Sequence, residues 1–177
     1  MILRIIQAAT VTLVLTSSLL SQDCIVDANG QKQGKCIEEN TQTGTIKTVN
    51  YQDGQLDGPY DVKYKLTRNK PYVLERGFYK SGQLHGVVCR YDTKGRILMA
   101  SNYKNDQLDG INMRYEKGRL SIIERYENGR AQGLWEVYGK DGRPISYFYC
   151  DKGIFGPVHH LNKNGGVEKI VQRRKSS

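Results

Sequence analysis

Three histidines, four cysteines and recurring carboxylates are the side chains of this 177-residue chain that could carry chemistry. The histidines are His85, His159 and His160. Adjacent residues of a strand point to opposite faces, so His159 and His160 are badly placed to share a metal ion. His85 stands where related stretches have Asp57, Asp109 or Gln132, which predicts a solvated turn residue. Aspartates and glutamates fall at turn-like positions and do not converge as an acid–base pair requires. Neither a phosphate-cradling Walker loop nor a dinucleotide fingerprint is present. The expectation is a chain with no catalytic residue, no metal site, no cofactor and no small-molecule substrate. An enzyme with an unrecognised site is the alternative class.

Charge is the second source of chemistry. Residues 22–61 hold three Lys/Arg against seven Asp/Glu, whereas residues 62–177 hold 23 against 11. The basic residues cluster in short glycine-rich stretches: Arg68 and Lys70, Lys94 and Arg96, Lys117 and Arg119, Lys140 and Arg143, then Lys163. Regular spacing of positive charge suits an extended polyanion such as acidic lipid, a wall polymer or an acidic protein surface. Nucleic acid is the weaker candidate: tyrosines among basic residues can stack bases, but a secreted chain seldom meets them.

The elements that must position these residues come from a repeat. The phrase "YQDGQLDG" at Tyr51 returns as "YKSGQLHG" at Tyr79, "YKNDQLDG" at Tyr103 and "YENGRAQG" at Tyr126. Its second glycine falls at Gly34, Gly58, Gly86, Gly110, Gly133 and Gly156, with successive spacings of 24, 28, 24, 23 and 23 residues. Its first position is Gly30, Gly54, Gly82, Asp106, Gly129 and Gly153. Asp is one of the few other residues that tolerate a left-handed backbone, so the exception predicts positive φ throughout. Between phrases lies a second polar turn, as in "GLWEVY", "GKDG", "RPISYFY" from Gly133 to Tyr149. Two short strands separated by such turns read as a β-hairpin. Ile111, Met113 and Tyr115 should then share one face, as should Ile145, Tyr147 and Tyr149. Helix is excluded by a glycine every ten to twelve residues. The predicted fold is all-β: an elongated single antiparallel sheet of about six hairpin units.

The pattern Tyr-x-x-Gly-x-x-x-Gly-x-Trp-x-x-Tyr, complete at Tyr126, Gly129, Gly133, Trp135 and Tyr138, resembles the MORN repeat in its bacterial-type variant. The resemblance covers about residues 24–170. The tryptophan position reads Cys36, Tyr60, Val88, Asn112, Trp135 and Val158, the unit around Tyr64 to Tyr72 carries an insertion, and the last unit is one residue short. The resemblance implies an elongated hairpin sheet used as a scaffold or binding surface, sometimes near membranes. Among bacterial relatives it also implies an antitoxin-like protein that neutralises one partner.

Domain organisation follows. Arg4, an apolar run from Ile5 to about Leu20, and small polar residues after it are the layout of a secretory signal peptide over residues 1–21. The chain is expected to be secreted or periplasmic, with an uncleaved membrane anchor as the alternative. Residues 22–172 form the repeat domain, and 173–177 a basic tail. The mean hydropathy of −0.61 and scarce runs of Val, Ile and Leu argue against a thick two-layer core.

Four cysteines in such a compartment allow three pairings. In a meander, Cys24 and Cys36 each lie six residues from Gly30 and can face each other across one hairpin. Cys89 and Cys150 would be five strands, roughly 24 Å, apart, too far to bridge. One disulfide, Cys24–Cys36, is therefore predicted.

Overall fold

The turn at Asn105–Asp106 explains the local construction. Lys104 faces Gln107 across it, and its two residues have φ of 51° and 64°. Two consecutive positive φ values make a type I′ turn, whose twist matches that of the flanking strands. Asp106 meets the requirement that glycine meets in the other phrases. The same two-residue turn recurs at Asp53–Gly54, Ser81–Gly82, Asn128–Gly129 and Lys152–Gly153.

The computed structural model describes residues 24–65 and 71–172. The segment read as a signal peptide, Arg68 and Lys70, and the C-terminal residues 173–177 lie outside the described residues. Among the described residues there is no helix; all regular structure is one open antiparallel sheet of hairpin-linked strands. Twelve longer strands form its body: β2 (Lys32–Asn40), β3 (Thr45–Gln52), β5 (Gly58–Tyr64), β6 (Tyr72–Lys80), β8 (Gly86–Tyr91), β9 (Ile97–Lys104), β10 (Gln107–Glu116), β11 (Arg119–Glu127), β13 (Gly133–Tyr138), β14 (Pro144–Asp151), β16 (Val158–Leu161) and β17 (Val167–Val171). Two-residue strands sit beside the turns: β1 (Ile25–Val26), β4 (Gln55–Leu56), β7 (Gln83–Leu84), β12 (Arg130–Ala131) and β15 (Ile154–Phe155). Each longer strand pairs with the one before it and the one after it, so the path is a meander.

The second glycine of each phrase marks a change of register. Near the turn Tyr51 faces Leu56, but Thr48 faces Asp61, so the returning strand holds two extra residues around Asp57 and Gly58. Gly58, at φ 112°, absorbs the bend. In the last unit Cys150 faces Phe155 and Tyr147 faces His159, which is an offset of one. That is the missing residue noted in the sequence, and Gly156 there has no positive φ. Carried across the same two-residue offset, Cys24 lies opposite Cys36, and the two form a disulfide with Cα atoms 4.6 Å apart. Cys89 on β8 and Cys150 on β14 are five long strands apart and are not joined to each other.

With these offsets, one residue from each strand falls on a single transverse row. Cys36 pairs with Val49, Tyr60 with Gly77, Val88 with Ser101, Ser101 with Asn112, Asn112 with Glu124, Trp135 with Phe148, and Val158 with Val171. The six residues at the repeat's tryptophan position all lie on this row. It is the core of the molecule, buried from Cys36 to Phe148 apart from the half-buried Gly77. Ile111 and Met113 do share a face, as do Tyr147 and Tyr149, but it is the other, more exposed face.

Gly77 is held by packing rather than by its φ. A Cβ there would lie 2.7 Å from Tyr60 Cε1 and 2.9 Å from Val88 Cγ2. Tyr60 cannot swing aside freely, because its hydroxyl donates to Glu75 Oε1 at 2.7 Å. Gly77→Ala is expected to cost about 1–3 kcal/mol by overpacking. Urea unfolding checks this; an unchanged midpoint would mean that the row repacks without strain.

Candidate functional site

Turns alternate between the two long edges of the ribbon. The phrase turns occupy one edge, where each is docked on its predecessor. Gly82 N donates to Leu56 O at 2.7 Å and Gly129 N to Leu108 O at 2.8 Å. The residue before each second glycine adds a side-chain acceptor: Asp57 Oδ2 takes Ser81 N at 3.0 Å, Asp109 Oδ2 takes Asn128 N at 3.2 Å, and Gln132 Oε1 takes Lys152 N at 2.7 Å. His85 holds this position on β7–β8. It is not the solvated turn residue expected: it is half-buried, and its buried Nδ1 has no hydrogen-bond partner among the described residues.

The second turns occupy the opposite edge, and with them come Lys94, Arg96, Lys117, Arg119, Lys140, Arg143 and Lys163. Lys94 and Arg96 lie in the loop from Asp92, whose Oδ1 accepts Lys94 N at 2.8 Å and Arg96 N at 2.9 Å. Arg96 Nε also donates to Asp92 Oδ2 at 2.7 Å. These donors, the Arg96 backbone first, hold the Asp92 carboxyl below its ordinary value. Lys117, at φ 52°, and Gly118 form a type I′ turn that leads into Arg119. Lys140 and Arg143 lie in the loop closed by Gly139 N on Arg143 O at 2.8 Å, with Arg143 Nε 3.9 Å from Asp141 Oδ2. Lys163 sits in the loop from Asn162, built like the one at Asp92. So Arg96 and Arg143 lean back onto carboxylates of their own turns. Among the described residues, Lys94, Lys117, Arg119 and Lys140 have no ion-pair partner.

Hollows separate successive basic turns. One of about 150 Å³ is lined by Lys117, Arg119, Leu120, Ser121, Tyr138 and Lys140, together with Glu116 and Gly139. The next, of about 280 Å³, lies between Arg143 and Lys163 over Pro144, Ile145 and Leu161. Each mixes apolar and cationic side chains from two adjacent units with one carboxylate, Glu116 in the first and Asp141 in the second. Burial, then the nearby Glu136, pushes the Tyr138 hydroxyl above its ordinary value, so it stays neutral near pH 7.

The core row contains polar chemistry of its own. Glu124 is 2% exposed, yet Arg114 Nη2 reaches its Oε1 at 2.9 Å. Asn112 Nδ2 donates to Glu124 Oε2, and Ser101 Oγ donates to Asn112 Oδ1. A second carboxylate, Glu75, is shared by the Tyr60 hydroxyl and by Arg90 Nε at 2.7 Å. Burial and Glu75 together raise the Tyr60 pKa strongly. In both sets an arginine neutralises the acid and hydrogen bonds occupy its lone pairs, which the buried Glu124 requires and the half-buried Glu75 shares. His159 stacks on Tyr147 with ring centroids 4.8 Å apart, while His160 is exposed on the other face. Among the described residues no three His, Cys, Asp or Glu side chains gather as metal ligands.

No known protein family matches the chain, and no curated protein matches it either. The polar row and the edge acceptors were not singled out from the sequence. The acceptors had a signal there, a polar residue immediately before each second glycine; Glu124 had none, since it looks like any outward residue of a polar strand.

Proposed function

We propose that the chain is a MORN-like, non-catalytic repeat protein, secreted or periplasmic, whose basic edge is a binding surface for a polyanionic ligand or an acidic protein partner. The observation that carries this reading is a row of consecutive basic turns: Lys94 and Arg96, Lys117 and Arg119, Lys140 and Arg143, and Lys163 stand at successive turns of one edge, whereas Lys80, Lys104, Arg130 and Lys152 on the opposite edge are interspersed with Asp57, Asp109, Glu127 and Asp151. Neighbouring units lie about 9.6 Å apart, slightly more than the Debye length of about 8 Å in physiological salt, so each turn presents its own charge and a ligand that spans several turns meets them one after another. The disulfide supports an oxidising compartment.

The chain is expected to be retained on immobilised dextran sulfate and released as salt rises. Reversing Lys94, Lys117, Arg119 and Lys140 to glutamate should weaken retention at least tenfold with the sheet intact, because exposed turn substitutions shift stability by only about 0.5 kcal/mol. Unchanged retention of the quadruple variant would move the surface to the sheet faces. A second reading, neutralisation of one protein partner, is favoured by the exposed side chains Phe78, Val87, Ile111 and Tyr149 on the face away from the core row.

A further inference from the structure

The two hollows between basic turns carry more information than the charges do. A surface that reads charge alone needs no floor. Here Leu120 and Tyr138 in one hollow, and Pro144, Ile145 and Leu161 in the next, offer apolar surface beside cations that outnumber the single carboxylate of each, Glu116 and Asp141. Beside them, the Ser121 hydroxyl donates to Arg114 O and keeps its lone pairs, and Asn162, whose Oδ1 accepts Asn164 N and Gly166 N, keeps its amide N–H groups. Apolar floor, polar side group and flanking cation together fit a pyranose ring bearing an acidic substituent: its C–H face packs, its hydroxyls bond, and its acid meets Lys or Arg. The two hollows lie in consecutive units, about 9.6 Å apart, close to the rise of two linked sugars.

Twist separates this ligand from a membrane. Neighbouring strands rotate by about 20–25°, so successive turns on one edge rotate by about 40–50°. Between the Lys94 turn on β8–β9 and the Lys163 turn on β16–β17 there are six strand steps. Those two turns therefore point about 120–150° apart. No flat surface can touch both, whereas a flexible linear chain can wind along the arc and meet every rung. Resting on the basic-edge reading, we infer that the ligand of this edge is a linear anionic polysaccharide, threaded across successive turns with sugar rings seated in the hollows.

The test compares three probes on the full chain: hyaluronate fragments, which carry a carboxylate on every second sugar, inorganic polyphosphate, and phosphatidylcholine vesicles containing a quarter phosphatidylserine. Hyaluronate binding is expected, and Lys94→Glu with Lys163→Glu should reduce it about tenfold, because both ends of the arc are used. Tyr138→Ala and, separately, Leu161→Ala should lower hyaluronate affinity about tenfold and leave polyphosphate affinity unchanged, with circular dichroism confirming the sheet. If polyphosphate binds as well as hyaluronate and neither floor variant matters, the edge reads charge alone and the inference fails while the basic-edge reading survives. Binding to vesicles without binding to hyaluronate has the same consequence. Binding to none of the three overturns both.

Discussion

Trp135→Ala is expected to remove about 3–5 kcal/mol of stability, the loss typical of deleting a buried large aromatic. Trp135 is the largest side chain of the core row and is 7% exposed. Its ring lies 5.5 Å from Phe148, 5.6 Å from Tyr126 and 5.3 Å, edge-on, from Phe155. Its Nε1 donates to Arg125 O at 3.3 Å, a carbonyl that also accepts Gln132 N at 2.8 Å and so stays paired after truncation. Ala131, Phe148 and Cys150 are buried with it, β11 and β16 supply Ile122 and Val158, and Val137 comes from its own strand. In a one-dimensional array the damage should stay near its origin. Hydrogen exchange would report it as faster opening of β11, β13, β14 and β16, with β2, β3 and β5 nearly unchanged. Equal loss of protection along the whole sheet would show that the units unfold together and that nearest-neighbour coupling is the wrong description.

The second large effect belongs to the disulfide. Replacing both Cys24 and Cys36 by alanine is expected to cost about 3 kcal/mol, the loop-closure entropy for a bridge of this span; the sequence separation is 12. The number is large for so small an element because little else holds it. β1 has two residues, both exposed, and Ile25 is 69% accessible. Cys36 and Val49 beside the bridge are 0% exposed, so an unfastened first strand would open the end of the core row to water. Chemical denaturation with and without reductant measures the loss. Non-reducing peptide mapping should recover Cys24 linked to Cys36, and a Cys89–Cys150 peptide from monomer would be incompatible with an open meander.

What was legible in the sequence is what local chemistry dictates. Asp106 in place of glycine announced a left-handed backbone, and φ there is 64°. The period of the phrase gave the hairpins, the hairpins gave the alternation of edges, and the alternation put Lys94, Lys117 and Lys140 on one side. The missing residue of the last unit appears as a one-residue offset. The core row was not legible, because pairing across the two-residue offset at Gly58 and its equivalents decides which residues stand opposite. Once the register is known, the variable tryptophan position becomes the most buried one. Ser101, Asn112 and Glu124 occupy the same row, where an apolar residue would be expected, and only their mutual hydrogen bonds and Arg114 account for it. Sequence spacing likewise could not tell that Arg96 and Arg143 turn back toward Asp92 and Asp141. His85 fills a capping position without capping anything, and nothing in the structure explains that choice.

The meander also sets an order of events. Every long strand finds its partner in the stretch of chain just before it, so a growing or emerging chain never waits for a distant segment. Local pairing of this kind favours fast folding and limits the time that edges stand bare. The twelve-residue span of the bridge means that the first hairpin can be locked before the third strand has appeared. A chain threaded end-first through a membrane pore could thus assemble on the far side one hairpin at a time, each new strand templated by the last, beginning from a fastened end.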